Sequence, residues 1–147
     1  MSAGGFAPLE RLARLRQLFF ADAFSLGQTR LRLERQSGAY PEHQRWRLGP
    51  VRFATLNVLG DDNHIGTRDE ASAEFQARNP VVLAWLRDSF ALARREQATA
   101  IVQVMQADPD FKRFAAGLGH RGFRALLQAL RQETMSFPGP VVLPRID

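Results

Sequence analysis

Hydrophobic residues near the amino terminus recur every three or four positions, which predicts an amphipathic helix over about residues 8–20. Pro8 suits the first turn of that helix, where its missing N–H is not needed. The apolar positions are Leu9, Leu12, Leu15, Leu18 and Phe19, and the other side carries Arg11, Arg14 and Arg16. Residues 28–35 then alternate between apolar and charged side chains. That alternation is typical of a half-exposed strand, with Leu31 and Leu33 on one side and Arg30, Arg32 and Glu34 on the other.

The middle of the chain predicts a loop followed by a buried strand. Residues 36–50 contain Gly38, Pro41 and the Gly49-Pro50 pair, and we expect an irregular segment there. Residues 51–59 alternate at first and become apolar on both faces from Ala54 onward. This pattern predicts a central strand that is covered on both sides. A polar loop follows at residues 60–66.

Helix-start signals dominate the next segment. Thr67 and Glu70 have the spacing of a capping box, which predicts a short helix through Phe75. Asn79-Pro80 offers a second start, with asparagine as the N-cap and proline in the first turn. The predicted helix over residues 81–97 has a broad apolar face formed by Val82, Leu83, Trp85, Leu86, Phe90 and Ala93.

The remaining elements alternate between strand and helix. We expect a buried strand over residues 99–105, a loop over 106–110, a loop or short helix over 111–119, a helix over 120–135 and a short strand over 141–143. The apolar face of the 120–135 helix is Phe123, Leu126, Leu127 and Leu130. Strand–helix alternation implies βαβ crossovers and an at least partly parallel sheet. The predicted fold is therefore α/β, with a mixed sheet flanked by helices.

One domain is expected over residues 1–147, with a helix and an irregular, hairpin-like insert in 1–50 and a βαβαβ portion in 51–147. Apolar residues make up 45% of the chain and charged residues 24%, which is ordinary for a globular protein. Cysteine is absent, which excludes disulfides, thiolate zinc sites and cysteine nucleophiles.

The net charge is +5, with 19 Arg and one Lys. The arginines are spread along the chain without a basic stripe, so we do not expect nucleic-acid binding. No stretch of 18 apolar residues and no secretory signal occurs, so neither a membrane span nor export is predicted and a cytoplasmic location is the default.

Polar loops at strand ends are the candidate functional positions, because ligands in parallel sheets bind beyond the carboxyl ends of strands. The first such loop contains Asp61, Asn63 and His64, which are ligand types for a divalent metal. The alternative is a plain polar turn, since Asp and Asn bond nearby backbone and tolerate positive φ. The second loop offers Gln106 and Asp108 as candidates. Its alternative is a backbone cap followed by an Asp-Pro turn.

The residues alone do not specify a reaction. The three histidines, His43, His64 and His120, include no pair at i,i+4 spacing. Phosphate-binding loop, nucleophile-elbow and dinucleotide-binding glycine patterns do not occur either.

Several segments together resemble one bacterial branch of the calcineurin-like metallophosphoesterases. They are PLERLARLRQLFF (8–20), SLGQTRLRLERQ (25–36), YPEHQRWRLGPVRFATLNVLGDDN (40–63) and the run EFQARNPVVLAWLRDSFALARREQATAIVQVMQADPDF (74–111). The most specific parts are Asn57–Asn63, Ala77–Leu86 and Val104–Pro109. The resemblance covers residues 5–143 and implies an incomplete portion of a four-layer α/β sandwich.

The resemblance also implies a two-metal phosphoesterase site, in which two cations hold the phosphate and generate a hydroxide. The family takes its ligands from D-x-H, G-D-x-x-D, G-N-H-[DE], a later histidine and a G-H-x-H motif. Gly4–Phe6 matches the segment that follows the third motif, Gln106 falls where the later histidine is expected, and the last motif would follow Leu143. The missing motifs imply a late start or a truncation.

We therefore expect a metallophosphoesterase-like protein that is catalytically incompetent as this chain, and we leave open whether it is an enzyme. The chain alone is expected to hold no metal, although the family uses two divalent ions, and the candidate small-molecule partner is a phosphate ester. The alternative is a non-catalytic binding module for an anionic ligand or a protein partner, or a truncated protein.

Overall fold

The computed structural model describes residues 7–67 and 70–144, and within them five strands form one open, mixed sheet. The strands are β1 (Glu34–Arg35), β2 (Gln44–Leu48), β3 (Val51–Leu56), β4 (Ala100–Met105) and β5 (Val141–Val142), in the spatial order β1-β2-β3-β4-β5. Strands β1, β2 and β3 pair antiparallel, whereas β3, β4 and β5 are parallel. The predicted α/β class with a mixed sheet is confirmed. The motif match at Gly4–Phe6 and the end of the chain from Arg145 lie outside the described residues.

The helices are α1 (Pro8–Phe19), α2 (Gly60–Asn63), α3 (Ala73–Arg95), α4 (Phe111–Ala115) and α5 (Arg124–Ser136). A 3-10 turn, Arg121–Phe123, leads into α5. Helix α3 packs on β3 and β4, and α5 packs on α3. None of the helices in the described part of the chain has the length and apolar character to span a bilayer.

The core lies between one face of the sheet and the helices α3 and α5. Most of the predicted apolar faces are buried, namely Val82, Trp85, Leu86, Phe90, Ala93, Phe123, Leu126, Leu127 and Leu130. Leu83, also predicted on the apolar face of α3, is only partly buried against this core. The buried residues meet the alternate residues of β3 and β4, such as Leu56, Ile101 and Met105. Burying this set of large side chains is the main favourable contribution to folding, at roughly 25 cal/mol per Å² of apolar surface removed from water.

The other face of the sheet is not covered in the same way, so the prediction that β3 is covered on both faces is wrong. In β3 and β4 each buried residue alternates with a half-buried one. The physical reason is that α3 and α5 both lie on one side of the sheet. We call the opposite side the outer face. Strand register and alternation place on it the apolar residues Trp46, Leu48, Val51, Phe53, Ala100, Val102, Val104 and Val142 and the polar residues Gln44 and Thr55.

The predicted loop over residues 36–50 is also wrong in its second half, because β2 occupies Gln44–Leu48. Gly49-Pro50 is the two-residue turn of a β2–β3 hairpin, and Gly49 takes the positive φ of 54° that the turn requires. Trp46 and Phe53 stack across the hairpin at 5.3 Å between ring centroids. The strand predicted over 28–35 shortens to Glu34–Arg35, although the alternation holds and Leu33 is buried.

Both helix starts predicted in residues 67–81 are wrong. One continuous helix begins at Ala73, where Ser72 Oγ accepts a hydrogen bond from the Phe75 amide at 3.1 Å. Pro80 lies inside this helix, at a cost of about 3 kcal/mol. Burial of Arg78 before the proline and of Val82 after it holds both halves of the helix in place, so tertiary packing outweighs the local break.

Helix α1 forms as predicted, but its leucine side chains are largely exposed. Leu9 is 79% exposed and Leu18 is 52% exposed. Arg16, predicted on the polar side, faces the rest of the protein and places its Nε 2.7 Å from Glu42 Oε1. Arg16 follows Leu12 by four residues, so the two lie on the same side of α1, and the prediction that Arg16 lies on the polar side is wrong. The ion pair attaches α1 by that side, while Leu9, Leu12, Leu15 and Leu18 stay between 37% and 79% exposed.

Candidate functional site

The two loops with candidate ligands leave the sheet side by side. Strands β3 and β4 are parallel and end in register, with Leu56 opposite Met105. The loop from Asn57 and the loop from Gln106 therefore start at the same edge of the sheet. This edge is where ligands bind in open α/β sheets.

The first loop contains four consecutive residues with left-handed backbone. Asp61, Asp62, Asn63 and His64 have φ values of 51°, 51°, 56° and 54°. Asp61 and Asp62 belong to α2, which for this reason is not a regular right-handed turn. Each such residue costs of order 1 kcal/mol, and such conformations persist only where the surroundings hold them.

Arg78 holds this loop from the side of α3. Its guanidinium is 1% exposed and places Nη1 2.7 Å from Asn63 Oδ1 and 3.0 Å from the Asn57 carbonyl oxygen. Nη2 donates to the Asn63 carbonyl at 2.9 Å, and Nε donates to Glu74 Oε1 at 2.6 Å. A buried cation is tolerated here because its donors are satisfied by oxygens.

Gly122 holds the same loop from the side of the 3-10 turn. Its amide donates to Asp62 Oδ1 at 2.8 Å, and its carbonyl accepts from Asn63 Nδ2 at 3.0 Å. A Cβ at residue 122 would collide with the Asp62 backbone oxygen, so only glycine allows this approach. Nothing in the local sequence pattern pointed to Arg78 or Gly122, because they lie 15 and about 60 residues from their partners.

The predicted site residues fall into two groups, those whose side chains support the loops and those that are exposed. Asn63 is buried and uses both its amide nitrogen and its side-chain oxygen to support the loop. Asp61 and His64 are exposed on the surface of that loop, and Gln106 is exposed beyond the end of β4. Asp108 is exposed, and its Oδ1 accepts from the Asp110 amide at 3.1 Å. Asn63 and Asp108 therefore bond to nearby backbone, as expected for residues of polar turns. Asp61, His64 and Gln106 face solvent.

Metal-ligating side chains do not cluster at this edge. Over residues 7–67 and 70–144, no group of three or more His, Asp or Glu side chains is arranged to hold a metal ion. The exposed side chains at this edge are the carboxylates of Asp61 and Asp108, the imidazole of His64 and the amide of Gln106. These groups can donate and accept hydrogen bonds to a polar ligand.

His43 is a buried titratable group that the sequence placed in a loop. It is 0% exposed, its ring stacks on Trp85 at 6.1 Å between centroids, and Nδ1 lies 2.5 Å from Gln36 Oε1. Burial lowers the pKa of His43 from 6.5 to about 4; nearby Glu42 opposes that shift, and Arg78 adds to it. His43 is therefore neutral at pH 7 and acts as a core residue.

A second ionic cluster fastens the sheet to the end of α3. Arg52, which is 7% exposed, bonds Glu96 with Nε at 2.6 Å and Glu34 with Nη1 at 3.2 Å. Burial alone would lower the pKa of Arg52, but the hydrogen bonds and charge of Glu96 and Glu34 raise it overall. In return, the Arg52 hydrogen bond lowers the pKa of Glu96. This cluster is structural, since its charges are matched within the fold.

Comparison of the chain with protein-family models, with curated proteins and with solved structures finds no match in any of the three. The metallophosphoesterase resemblance accordingly remains an expectation from the sequence. The structure shows an α/β domain in which one largely apolar face of the sheet is only partly covered.

Proposed function

We propose that this chain is a metallophosphoesterase-like α/β domain that acts as a non-catalytic, protein-binding module. The outer face of the sheet is the observation that carries the proposal. Its side chains are largely apolar, yet Leu48 is 45% exposed and Val142 is 47% exposed. Parallel strands are normally covered on both faces, because exposing such strands leaves apolar surface in water.

A protein partner fits this surface better than an anionic ligand does. Many of the arginines already pair with carboxylates inside the chain, namely Arg16, Arg30, Arg45, Arg52, Arg78 and Arg94. These pairs reduce the positive charge available to an anion. Covering the outer face, in contrast, removes apolar surface from water at roughly 25 cal/mol per Å².

Two of the candidate metal ligands support the non-catalytic part of the proposal, one by its hydrogen bonds and one by its residue type. Asn63 is committed to Arg78 and Gly122 through its side chain. Gln106 occupies the position where the resemblance implies a metal-binding histidine, and an amide is a poor ligand for a transition metal.

The chain has no cysteine, so a single introduced thiol reports on one position. We would compare maleimide labelling of Leu48→Cys, on the outer face, with that of Leu118→Cys, which is 62% exposed in the segment after α4. Labelling would be followed in the purified protein over a concentration series and in an extract of the expressing cells. Slower labelling of position 48 in either setting, with position 118 unchanged, is the expected result. Equal, unchanged labelling of both positions everywhere would contradict a protein-binding outer face.

Phosphate-ester hydrolysis is the second candidate, and the shared strand edge is what favours it. Asp61 and His64 are exposed on the loop beside Gln106. The test is release of the aryl alcohol from a generic aryl phosphate with Mn²⁺ or Zn²⁺ present. Turnover that Asp61→Ala and His64→Ala both abolish would replace the binding module with an enzyme. The expected result is no turnover above the rate of metal alone.

A further inference from the structure

We infer that the groove between α4, α5 and the end of β5 binds the anion of a fatty acid, with its acyl chain in the groove and its carboxylate at Arg131. This inference goes beyond the proposed function and does not depend on it, because the groove lies on the helix side of the sheet and not on the outer face. Two observations carry it together. They are the apolar lining of the groove and the positive charge around it.

The groove has an apolar floor that belongs to the core of the protein. Leu127 and Leu130 of α5 are 3% and 4% exposed, and Phe114 and Leu143 are partly buried against the same core. The volume of the groove is about 580 Å³. Binding sites for small molecules are typically about 300–1,000 Å³, so the groove has the size of a ligand site.

Two further apolar side chains of the lining are well exposed. Phe111 is 42% exposed and Met135 is 79% exposed. An apolar ligand in the groove would remove part of both side chains from water, which is favourable in proportion to the area buried. Methionine is unbranched and flexible, so Met135 can adapt to the shape of such a ligand.

The polar part of the lining is confined to one place on α5. Every lining residue except Arg131 and Thr134 is apolar, and these two are three residues apart, so they lie side by side on the helix. A ligand that matches this arrangement is apolar along its body and polar at one end. The Arg131 guanidinium can bond a carboxylate through two parallel N–H groups, and the Thr134 hydroxyl can donate one more hydrogen bond.

The elements around the groove carry the whole net charge of the chain. Residues 111–132, which include α4 and most of α5, contain five basic residues and no acidic one. The chain has 20 basic and 15 acidic residues, so the rest of it contains 15 of each and is balanced. The arginines are spread along the chain, but the acidic residues are absent here. A concentration of positive charge at one site favours an anionic ligand there.

This charge is not neutralised by ion pairs of the fold. Within residues 7–67 and 70–144, Lys112, Arg113, Arg124 and Arg131 have no carboxylate at ion-pair distance, and all four are exposed. The arginines whose ion pairs hold the fold together, such as Arg52, lie outside residues 111–132. The guanidinium of Arg131 is therefore available to a ligand.

The acidic residues that flank this segment have structural roles. Asp110 Oδ1 accepts a hydrogen bond from the Arg113 amide at 3.1 Å and caps α4. Glu133 Oε2 lies 2.8 Å from Arg94 Nη1. Neither residue lines the groove, so a carboxylate at Arg131 meets no acidic side chain of the lining.

A fatty-acid anion fits the groove better than other anions do. Phosphate or another small anion would use Arg131 but would leave the apolar lining in water. A nucleic acid carries a row of phosphates, and its binding depends on several cations along one track. The lining has a single cation beside a continuous apolar surface, which matches one carboxylate on one acyl chain.

The test is isothermal titration calorimetry of the purified chain with sodium dodecanoate below its micelle concentration. We expect one saturable site per chain and no heat of binding from sodium acetate, which has the carboxylate without the acyl chain. Sodium decanoate should bind more weakly than dodecanoate by up to about fifteenfold, because each buried CH₂ group tightens binding up to about fourfold. Dodecanoate should also raise the Tm, since it binds the folded state.

Substitutions on α5 test the position of the carboxylate. Arg131→Gln should weaken binding of dodecanoate at least about fivefold, because it removes the charge, and Arg131→Lys should keep part of the affinity. Met135→Glu should weaken it at least about tenfold, since it places a like charge in the lining. Arg124→Gln, on the same helix but outside the lining, is the matched control and should change the affinity less than about twofold. Circular dichroism checks that all four variants remain folded.

Several results would overturn the inference. Equal weakening by Arg131→Gln and Arg124→Gln would assign the binding to diffuse attraction and not to a carboxylate site. Binding to vesicles of phosphatidylglycerol and phosphatidylcholine, without binding of dodecanoate below its micelle concentration, would make this side a membrane-contacting surface. Absence of dodecanoate binding, or a lower Tm in its presence, would leave no fatty-acid site. The labelling of position 48 tests the outer face separately, so failure of one proposal leaves the other in place.

Discussion

Nη1 of Arg78 lies 2.7 Å from Oδ1 of Asn63, and both side chains are 1% exposed. The contact joins the second turn of α3 to the loop that follows β3. It explains how a run of four left-handed residues is held at the edge of the sheet. It also explains why Asn63, which the sequence offered as a candidate ligand, is a structural residue.

Replacing Arg78 by leucine is expected to lower the free energy of unfolding by about 3–5 kcal/mol, because it leaves buried oxygens without donors. Urea unfolding measures the change. Arg87→Leu, on the same helix but exposed, is the matched control and should change the free energy by less than about 0.5 kcal/mol. Equal effects at both positions would show that the buried contacts of Arg78 contribute nothing.

Replacing Gly122 by alanine should destabilise the protein by about 2 kcal/mol or more, because the new Cβ would collide with the Asp62 backbone. Amide hydrogen exchange should rise in the loop from Asn57 to His64. Gly60→Ala is the control within that loop, since its Cβ would meet no atom within 4 Å. If alanine at 122 is tolerated as well as at 60, the close approach is not needed.

Replacing His64 by glycine should raise the free energy of unfolding slightly, by up to about 1 kcal/mol. His64 has a φ of 54°, which glycine adopts without steric cost. His120→Gly is the matched control, because His120 has an ordinary φ of −69° and its replacement should be neutral or destabilising. Thermal unfolding of both variants gives the comparison, and a less stable His64→Gly protein would count against strain in this loop.

Stability should fall as the pH drops from 6.5 toward 4 because of His43. Its pKa is about 4 in the folded state and 6.5 ordinarily, so in this window the unfolded chain binds a proton that the folded chain does not. Between pH 6.5 and pH 5 the expected loss is roughly 1.5 kcal/mol. The Glu96 carboxylate, whose pKa is lowered from 4.5, contributes its own loss only as the pH falls below that ordinary value.

Urea unfolding at several pH values, with His43→Phe as the comparison, isolates this effect. The variant should lose the slope between pH 6.5 and pH 5, because phenylalanine has no proton to bind. A variant with the wild-type slope would assign the pH dependence to other groups.

Replacing Gln103 by methionine should stabilise the protein by about 1–2 kcal/mol. Gln103 is 0% exposed in β4, and in the part of the chain that the structure describes neither its amide nitrogen nor its side-chain oxygen has a hydrogen-bond partner. Methionine has a similar volume and no polar group to leave unsatisfied. Differential scanning calorimetry should show a higher Tm, with the exposed Gln106→Met as control. A lower Tm would mean that the amide is satisfied in solution.

Periodicity predicted the elements that depend on local spacing. The apolar faces of α3 and α5 and the strands β3 and β4 were found because each repeats at its own period over many residues. The β2 strand was missed because its five residues lie between Pro41 and a Gly-Pro turn, which look like a loop when the partner strand is unknown. The start of α3 was misplaced for a similar reason. Pro80 looks like a helix start when the packing that keeps both halves of α3 in one helix is unknown.

The candidate site likewise has features that local sequence predicts and features that depend on distant residues. Residue types identified the polar loops at the ends of β3 and β4, because turn residues follow strands in sequence. Which of those side chains face solvent was decided by Arg78 and Gly122, whose distance along the chain hides their contacts from any local pattern.

Local spacing along the chain predicts the α/β class, a partly parallel sheet and a helix at α1. Long-range packing is needed to place α3 and α5 on one face of the sheet and to attach α1 through Arg16. The reason is that an apolar pattern shows that a surface favours burial without showing what buries it. In this chain the leucines of α1 and the outer face both have that pattern. The leucines are between 37% and 79% exposed, and the outer face is covered only in part, by the segment that contains Phe20 and Phe24.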